Sequence, residues 1–351
     1  MTFSPFSGAS KRHAVSRCSL GRHPLASWLP VEPRIAIPVE PSPLPQPRAE
    51  RASAVISTRG LTKRYGALTA LKGLDLDVQS GEIFGFLGLN GAGKTTAIRL
   101  LLDFIRPSAG QAFIFGYDCW SQSLEVRARV GYLPGELGLY LDLTGLETLD
   151  FLAGLNRQPV DPRRRQELCD RLELPRSDLR RRLREYSTGM KRKLGIIQAF
   201  QTNPRLLILD EPTEGLDPIM QGAFYELLAD VKRAGATVFM SSHVLSEVER
   251  VCDRIALLRK GEMVLLSTVE ESRRLAPRNV RVVFSEEVGP PCQLSPGNEL
   301  VEAAPRLWRL TVTGSLGPLL ELLRGLPVED MDVEEARLED VVLKYYREEE
   351  G

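Results

Sequence analysis

The sequence lacks any apolar run near the roughly 18 to 20 residues needed to cross a bilayer. Its 351 residues, 43% of them hydrophobic, are enough to bury a substantial core, which predicts one large domain and a smaller one. This composition is typical of a soluble globular protein. If the protein works at a membrane, we expect another chain to supply the span.

The chain also lacks an excess of either charge, because 46 basic residues balance 46 acidic ones. No global field therefore attracts nucleic acid or an anionic membrane surface, and binding must come from local sites.

Cysteine is scarce as well. The five cysteines are an odd number without a CxxC pair, a pattern that fits neither a disulfide framework nor a zinc site. This usage favours a reducing cytosol.

Residues 1–52 show neither helical nor strand periodicity, and they hold nine of the 24 prolines. We predict that they form a disordered tail. The first 31 residues contain basic side chains but no acid, a composition shared with organelle transit peptides. A non-folding extension, or a start placed too far upstream, is the favoured interpretation.

Between residues 53 and 275 short apolar strands alternate with longer helical patterns, which predicts an α/β sheet with helices packed on it. A Leu- and Arg-rich block at about 136–200 predicts an inserted helical subdomain. The predicted strands are 53–58, 74–78, 82–87, 111–115, 128–133, 205–210, 236–241 and 254–258.

Residues 276–351 predict a smaller α+β unit. The alternation of Trp308, Leu310 and Val312 with polar residues is typical of a half-buried strand. Two further sets of apolar residues each have the spacing of one helix face, and we expect both helices to pack on the small sheet. The sets are Leu316, Leu319, Leu320 and Leu323, and Leu338, Val341, Val342 and Tyr345.

The stretch "GLNGAGKTT" lies between a predicted strand and a predicted helix and fits the pattern GxxxxGK[ST]. Its backbone N–H groups and the helix N-terminus are expected to hold the phosphates of a nucleotide. Lys94 is expected to reach the β- and γ-phosphates, and the Thr95 hydroxyl to bind Mg²⁺. The predicted loop consists of Gly88, Leu89, Asn90, Gly91, Ala92, Gly93, Lys94, Thr95 and Thr96.

An acid pair ends the apolar strand of "RLLILDEPTEGLD". Buried parallel strands deliver catalytic groups at their carboxyl edge. We therefore expect Asp210 to hold Mg²⁺ and Glu211 to orient or deprotonate the water that attacks the γ-phosphate.

Another apolar strand, "VFMSSH", ends at His243, the only histidine outside the predicted tail. At the carboxyl edge of the sheet beside a phosphate loop, this imidazole is expected to hydrogen-bond the γ-phosphate.

The stretch "EYSTGMKRKLG" lies about 20 residues before the acid pair. With it, residues 55–270 resemble the nucleotide-binding subunits of ABC transporters, whose signature is usually written LSGGQ. Ser187 and Gly189 match, whereas Tyr186, Thr188 and Met190 depart. The resemblance implies that Ser187 and Gly189 bind the phosphate of ATP held by the opposite subunit. Taken alone, Ser187 is equally explained as a helix N-cap.

The same resemblance implies three further roles. Tyr65 matches the aromatic residue that stacks on adenine, although a strand-end Tyr in the core fits the sequence equally. Asp217 matches the loop that couples the two sites, although it also suits an N-cap before Pro218. Where the family usually places a glutamine, this chain has Gly135. Either the neighbouring Glu136 substitutes for it through its carboxylate or the role is lost, and a Gly135 that simply turns the chain after Pro134 also fits the sequence.

The resemblance further implies the fold of a P-loop NTPase of the ABC ATPase type, with an antiparallel β subdomain and the helical insertion. It implies ATP and Mg²⁺ as cofactors, a homodimer or a paralogous ATPase partner, and an integral membrane permease. The segment after Gly135, including Leu143-Thr144-Gly145-Leu146-Glu147, is expected to meet a cytoplasmic helix of the permease, holding the protein on the inner face of the cell membrane. The ending "LEDVVLKYY" resembles bacterial subunits that serve drug, antibiotic, lipid or polysaccharide exporters.

Two other functions compete with an exporter ATPase. A soluble ABC ATPase acting on nucleic acid or ribosomes typically carries a coiled coil or two ATPase domains, and its partners usually call for a basic surface. This chain has one phosphate loop and zero net charge, so we expect no nucleic-acid partner. A regulator that does not turn over ATP is expected to lack Lys94 or Glu211, and both are present.

Overall fold

The computed structural model describes residues 54–155, 159–275, 277–291, 293–334, 338–339 and 341–342. The predicted tail, residues 1–52, lies outside this part of the chain.

The strands are β1 (Ala54–Tyr65), β2 (Leu68–Gln79), β3 (Ile83–Leu87), β4 (Ala109–Ile114), β5 (Tyr117–Asp118), β6 (Val130–Leu133), β7 (Leu206–Asp210), β8 (Thr237–Ser242), β9 (Arg254–Arg259), β10 (Glu262–Thr268), β11 (Pro277–Phe284), β12 (Asn298–Ala304), β13 (Leu307–Thr313) and β14 (Val328–Val333). The α-helices are α1 (Lys94–Leu101), α2 (Ser123–Arg127), α3 (Gly145–Leu155), α4 (Pro162–Arg171), α5 (Arg176–Leu179), α6 (Thr188–Phe200), α7 (Pro218–Arg233), α8 (Leu245–Val251), α9 (Val269–Leu275) and α10 (Gly317–Leu323).

The central sheet has the strand order β10-β9-β3-β8-β7-β6. Its strands pair in parallel, except that β10 runs antiparallel to β9. In the register of β7 and β8, Asp210 lies opposite Ser241, and Leu87 at the end of β3 lies opposite Ser242. The segments that follow β3, β7 and β8 therefore leave the sheet at one edge, as the sequence predicted.

All five residues of β3 are buried because both faces of the central sheet are covered. Phe84 and Phe86 belong to one hydrophobic core cluster, and Ile83 and Leu87 belong to a second one. A parallel strand buried on both faces reads as a continuous apolar run, and this is why the sequence shows it so clearly. The Phe84 and Phe239 rings stack with their centroids 5.8 Å apart.

A second, antiparallel sheet has the order β2-β1-β4-β5 and shares the core cluster that contains Phe84 and α1. Strand β1 extends to Tyr65 and strand β2 begins at Leu68, so both strands are longer than predicted. Register shifts between β1 and β2 break the alternation of buried and exposed residues, which hides the strand pattern in this hairpin.

The described residues between 145 and 200 form the α-helices α3 to α6, in agreement with the predicted helical block. Helix α3 begins with a capping box. The Thr144 N–H donates to Glu147 Oε2 over 2.8 Å, and the Glu147 N–H donates to Thr144 Oγ1 over 3.2 Å. The Thr144 N–H and the Thr144 hydroxyl both donate to the Glu147 carboxylate and lower its pKa.

The C-terminal sheet has the order β12-β13-β11-β14 and a core cluster of its own. Trp308, Leu310 and Val312 are buried in that cluster, as the alternation predicted. In α10, Leu319 is buried there, but Leu320 is 51% exposed.

The prediction that the last apolar set packs on this small sheet is wrong for Leu338 and Val342, and Tyr345 lies outside the described residues. Leu338 and Val342 belong to the core cluster of the central sheet, which also contains Val248 of α8. The Leu338 N–H donates to a carboxylate oxygen of Glu249 on the same helix. Helical spacing identifies an apolar face, but the contact that covers it depends on where the chain returns, and spacing does not contain that information.

Candidate active site

The loop after β3 depends on two glycines. A Cβ atom at Gly88 would lie 2.5 Å from the Leu258 carbonyl oxygen, and one at Gly93 would lie 2.5 Å from the Ala70 oxygen. Gly93 also has φ +112°, a backbone conformation that residues with a side chain rarely adopt. These positions explain the glycine spacing that the sequence shows.

The crest of the loop faces solvent, and its base is buried. Leu89, Asn90 and Gly91 are exposed, whereas Ala92 is buried. Helix α1 starts at Lys94, so Thr95 and Thr96 lie in its first turn. Backbone N–H groups of a first turn lack intrahelical partners, which makes this end of α1 suitable for a phosphate group.

Lys94 is 5% exposed and lies between the loop and the acid pair. Its ammonium donates to the Gly88 carbonyl oxygen over 2.5 Å and lies 3.1 Å from Glu211 Oε1. The sequence predicted both residues as part of one site, and the structure brings them into an ion pair.

Glu211 connects this lysine to the histidine. Its Oε2 lies 2.8 Å from His243 Nδ1, and its backbone N–H donates to Ser241 Oγ over 3.1 Å. Glu211 has φ +47°, a conformation that costs a residue with a side chain roughly 1–2 kcal/mol. Strained backbone of this kind concentrates at functional sites.

Asp210 is 2% exposed, and its Oδ1 accepts a hydrogen bond from Ser241 Oγ over 2.5 Å. No described residue donates a hydrogen bond to its other oxygen, Oδ2. The described residues contain no group of three or more His, Cys, Asp or Glu side chains suited to a metal. Mg²⁺ in nucleotide sites usually takes one or two protein oxygen ligands, with phosphates and waters completing the shell. A carboxylate and the Thr95 hydroxyl fit that set.

Tyr65 is 46% exposed at the end of β1, so the alternative of a core tyrosine is wrong. The Lys63 ammonium lies 5.0 Å from the centroid of its ring. One face of the ring is thus occupied by a cation, and the exposed ring retains area for an adenine base to stack.

Ser187 and Asp217 both cap helices. Ser187 Oγ accepts from the Met190 N–H over 3.2 Å at the start of α6. An Asp217 carboxylate oxygen accepts from the Ile219 and Met220 N–H groups at the start of α7. Both residues are exposed, as is required of groups that meet a second copy of the chain.

The signature stretch at the start of α6, which contains Gly189, packs on the turn before Asp217 in the same chain. A Cβ atom at Gly189 would lie 3.4 Å from the Gly215 carbonyl oxygen, a close van der Waals contact. The first turn of α6 and the turn before Asp217 are therefore in van der Waals contact.

Gly135, not Glu136, lies beside the acid pair. A Cβ atom at Gly135 would be 3.5 Å from Asp210 Oδ2. Glu136 is exposed and makes no hydrogen bond or ion pair with the described residues. Nothing in the structure connects the Glu136 carboxylate to Asp210, so its substitution for the missing glutamine stays a prediction.

Arg192 is a residue of the site that the sequence did not reveal. It lies on α6 and is 3% exposed. Burial lowers the pKa of its guanidinium, although the nearby acids oppose this effect. The guanidinium donates to five backbone carbonyl oxygens, those of Pro134, Gly135, Asp210, Glu211 and Pro212. It thereby joins the signature helix to the Gly135 loop and to the acid pair.

Replacing Arg192 with methionine is expected to lower the free energy of unfolding by at least about 3 kcal/mol, because five carbonyl oxygens lose a charged donor. Urea denaturation measures this loss. Lys193→Met removes a cation from the same helix, but Lys193 makes no hydrogen bond with the described residues. This control should change stability by less than about 0.5 kcal/mol. Equal stability of the two variants would show that Arg192 does not hold these segments together.

An apolar groove lies between the central sheet and the helical region, on the side where the Gly135 loop passes. Its cavity measures about 300 Å³, and its walls include Phe104, Tyr132, Tyr140, Phe151 and Leu155. The Tyr140 ring is 66% exposed and meets the Phe151 ring edge-on, with 5.8 Å between centroids. None of the described helices has the length and apolarity needed to cross a lipid bilayer.

Comparisons with known proteins agree with this geometry. Residues 71–214 match the family model described as "ABC transporter". A daunorubicin resistance ATP-binding protein of Streptomyces coeruleorubidus is 33% identical over 305 residues, which cover 83% of this chain and 96% of that protein. A bacitracin transport ATP-binding protein of Bacillus licheniformis is 38% identical over 215 residues, 60% of this chain and 69% of that protein.

A solved structure of the ATP-binding subunit of an ABC transporter is 31% identical and superposes with a TM-score of 0.58. The match covers 63% of this chain and 92% of that one. The fold, the phosphate loop beside the acid pair and the near full-length similarity to a relative point to one conclusion. The chain belongs to the ATP-binding, ATP-hydrolysing subunits of ABC transporters.

Proposed function

We propose that the chain powers an exporter and that two copies, or one copy and a paralogue, enclose ATP between them. Subunits of this family work with membrane permeases and dimerise. The observation that carries the proposal is the contact of Lys94, Glu211 and His243 at one sheet edge, directly beside the phosphate loop. Similarity to subunits named for bacitracin transport and daunorubicin resistance supports export.

In this proposal Lys94 and the first turn of α1 bind the phosphates of ATP, and Tyr65 stacks on the adenine. Thr95 and Asp210 hold Mg²⁺, which neutralises phosphate charge when bound. Glu211 orients the attacking water, and His243 holds Glu211 and contacts the γ-phosphate. The exposed Ser187 and the half-buried Gly189 reach the ATP of the opposite copy, and Asp217 faces that copy.

We also propose a division into an ATP-binding domain at 53–275 and an accessory α+β domain at 276–351. The separate core cluster of the C-terminal sheet supports this boundary. The contact of Leu338 with the central core supports an accessory domain whose last described residues return to the first domain.

The apolar groove is proposed to receive a helix of the permease, which places the subunit on the inner face of the cell membrane. The predicted contact segment after Gly135 includes residues 143–147, which form the capped start of α3. Later residues of the same helix, Thr148, Phe151, Leu152 and Leu155, line the groove. Aromatic side chains that are partly exposed and surround a cavity are typical of binding surfaces.

Affinity purification of the tagged chain from detergent-solubilised membranes of its own host is expected to yield an integral membrane protein. Phe151→Asp should abolish this association, because a carboxylate would lie in the groove. Leu124→Asp is the matched control, since Leu124 is 76% exposed but lies outside the groove. Undiminished recovery of the membrane protein with Phe151→Asp would refute the docking surface, and recovery of none with the unchanged chain would refute the permease partner.

A further inference from the structure

Glu247 is a buried carboxylate outside the predicted site. It lies on α8, four residues after His243, and is 7% exposed. It forms no ion pair with the described residues. A carboxylate taken out of water is costly unless hydrogen bonds replace its hydration. The donors that stabilise it therefore show what this position does.

Two hydroxyl groups from different segments donate to this carboxylate. Thr213 Oγ1 donates to Glu247 Oε1 over 2.6 Å, and Ser242 Oγ donates to Oε2 over 3.1 Å. Both hydroxyls are themselves buried. A third hydroxyl, that of Tyr225, lies nearby: burial first and then the Glu247 charge raise its pKa to about 12, so it stays protonated.

The two donor segments are those that carry the reacting groups. Thr213 follows Glu211 by two residues, and Ser242 directly precedes His243. Ser242 Oγ also accepts from the Val244 N–H over 2.9 Å, which fixes the backbone on both sides of His243. Glu247 thus joins the turn after Glu211 to the loop that bears His243, and the side chains of Glu211 and His243 are themselves 2.8 Å apart.

We propose that Glu247 is a positioning residue for ATP hydrolysis, which holds the His243 loop against the turn that follows Glu211. It touches neither the phosphates nor the attacking water. Its carboxylate sets the separation of the Glu211 and His243 side chains, so that it controls turnover and not ATP binding. This inference rests on the proposed roles of Glu211 and His243.

Four variants test the proposal in steady-state ATPase assays. Glu247→Ala is expected to lower kcat about 10–100-fold, the loss that a misplacement of about 1 Å causes, with KM for ATP changed less than about twofold. Glu247→Gln should restore most of kcat, because its oxygen accepts from Thr213 and its NH₂ group donates to Ser242 Oγ. Thr213→Val and Ser242→Ala each remove one of the two hydrogen bonds and should lower kcat in part.

Non-additivity separates positioning from a general loss of stability. In the Glu247→Ala background, Thr213→Val and Ser242→Ala should have no further effect on kcat, since the group that they contact is gone. If Glu247→Ala does not fold, the Thr213→Val and Ser242→Ala pair carries the test: the double variant should lose less in kcat than the product of the single losses. Glu249→Ala, which removes a carboxylate from the same helix, is the control and should keep wild-type kcat.

The outcomes distinguish this inference from the proposed function. ATP hydrolysis that does not depend on Glu211 would overturn the proposed function. Hydrolysis that depends on Glu211 but is unchanged in Glu247→Ala would overturn only the positioning role. Losses of kcat that simply multiply when the Glu247, Thr213 and Ser242 substitutions are combined would also overturn it. So would a Glu247→Gln variant whose kcat is no higher than that of Glu247→Ala.

Discussion

Glu211→Gln is expected to lower ATP turnover by about 10²–10⁴-fold, the range ascribed to general-base catalysis. The amide keeps the shape and a polar contact with His243 Nδ1 but loses the basicity that the attacking water requires. ATP binding should persist, because the phosphate loop and Lys94 are unchanged. The two-copy complex should therefore accumulate with Mg-ATP, whereas the unchanged chain forms it only transiently.

Turnover assays and size-exclusion chromatography with and without Mg-ATP measure these effects. Glu214→Gln is the matched control, because Glu214 is exposed in the same turn and makes no side-chain hydrogen bond with the described residues. Ser187→Arg added to Glu211→Gln should prevent the dimer by obstructing the signature contact. An unchanged turnover rate would remove Glu211 from catalysis, and a Glu211→Gln protein that binds ATP as a monomer would contradict the two-copy arrangement.

Lys94→Ala is expected to abolish useful ATP binding. A charged hydrogen bond contributes roughly 1.5–3 kcal/mol, so loss of the ammonium alone weakens binding by about 10–150-fold. The structure adds a second cost, because the Glu211 carboxylate loses its partner at 3.1 Å and stays next to the arriving phosphates. Repulsion between these negative charges should weaken binding beyond that range.

Isothermal titration with ATP measures the affinity. Arg99→Ala is the control, since Arg99 provides an exposed cation on the same helix and should leave the affinity nearly unchanged. Near-native ATPase activity in Lys94→Ala would show that the phosphates bind elsewhere.

The parts of the site that local sequence determines were predictable. The phosphate loop is one uninterrupted stretch, and the rule that parallel strands end at one edge was enough to group Lys94, Glu211 and His243. The central strands were predictable for a similar reason, because burial on both faces makes them continuous apolar runs.

Residues that act through distant backbone were not predictable. Arg192 reads as one of several basic residues on a helix, and its role appears only when loops near residues 135 and 211 come within reach of its guanidinium. Glu247 reads as an ordinary acid of a surface helix, because its partners lie 34 and five residues away in sequence. The return of Leu338 to the central core is likewise a property of the folded chain.

The fold does not require a glycine at position 135. Gly135 does not have a positive φ, and an added Cβ would meet Asp210 only at ordinary contact distance. The Arg192 guanidinium holds the loop through hydrogen bonds to the carbonyl oxygens of Pro134 and Gly135, and any residue provides such a carbonyl group. The backbone conformation and the space for a Cβ at this position are therefore compatible with the family's usual glutamine, so a Gly135→Gln chain should keep the fold of this loop.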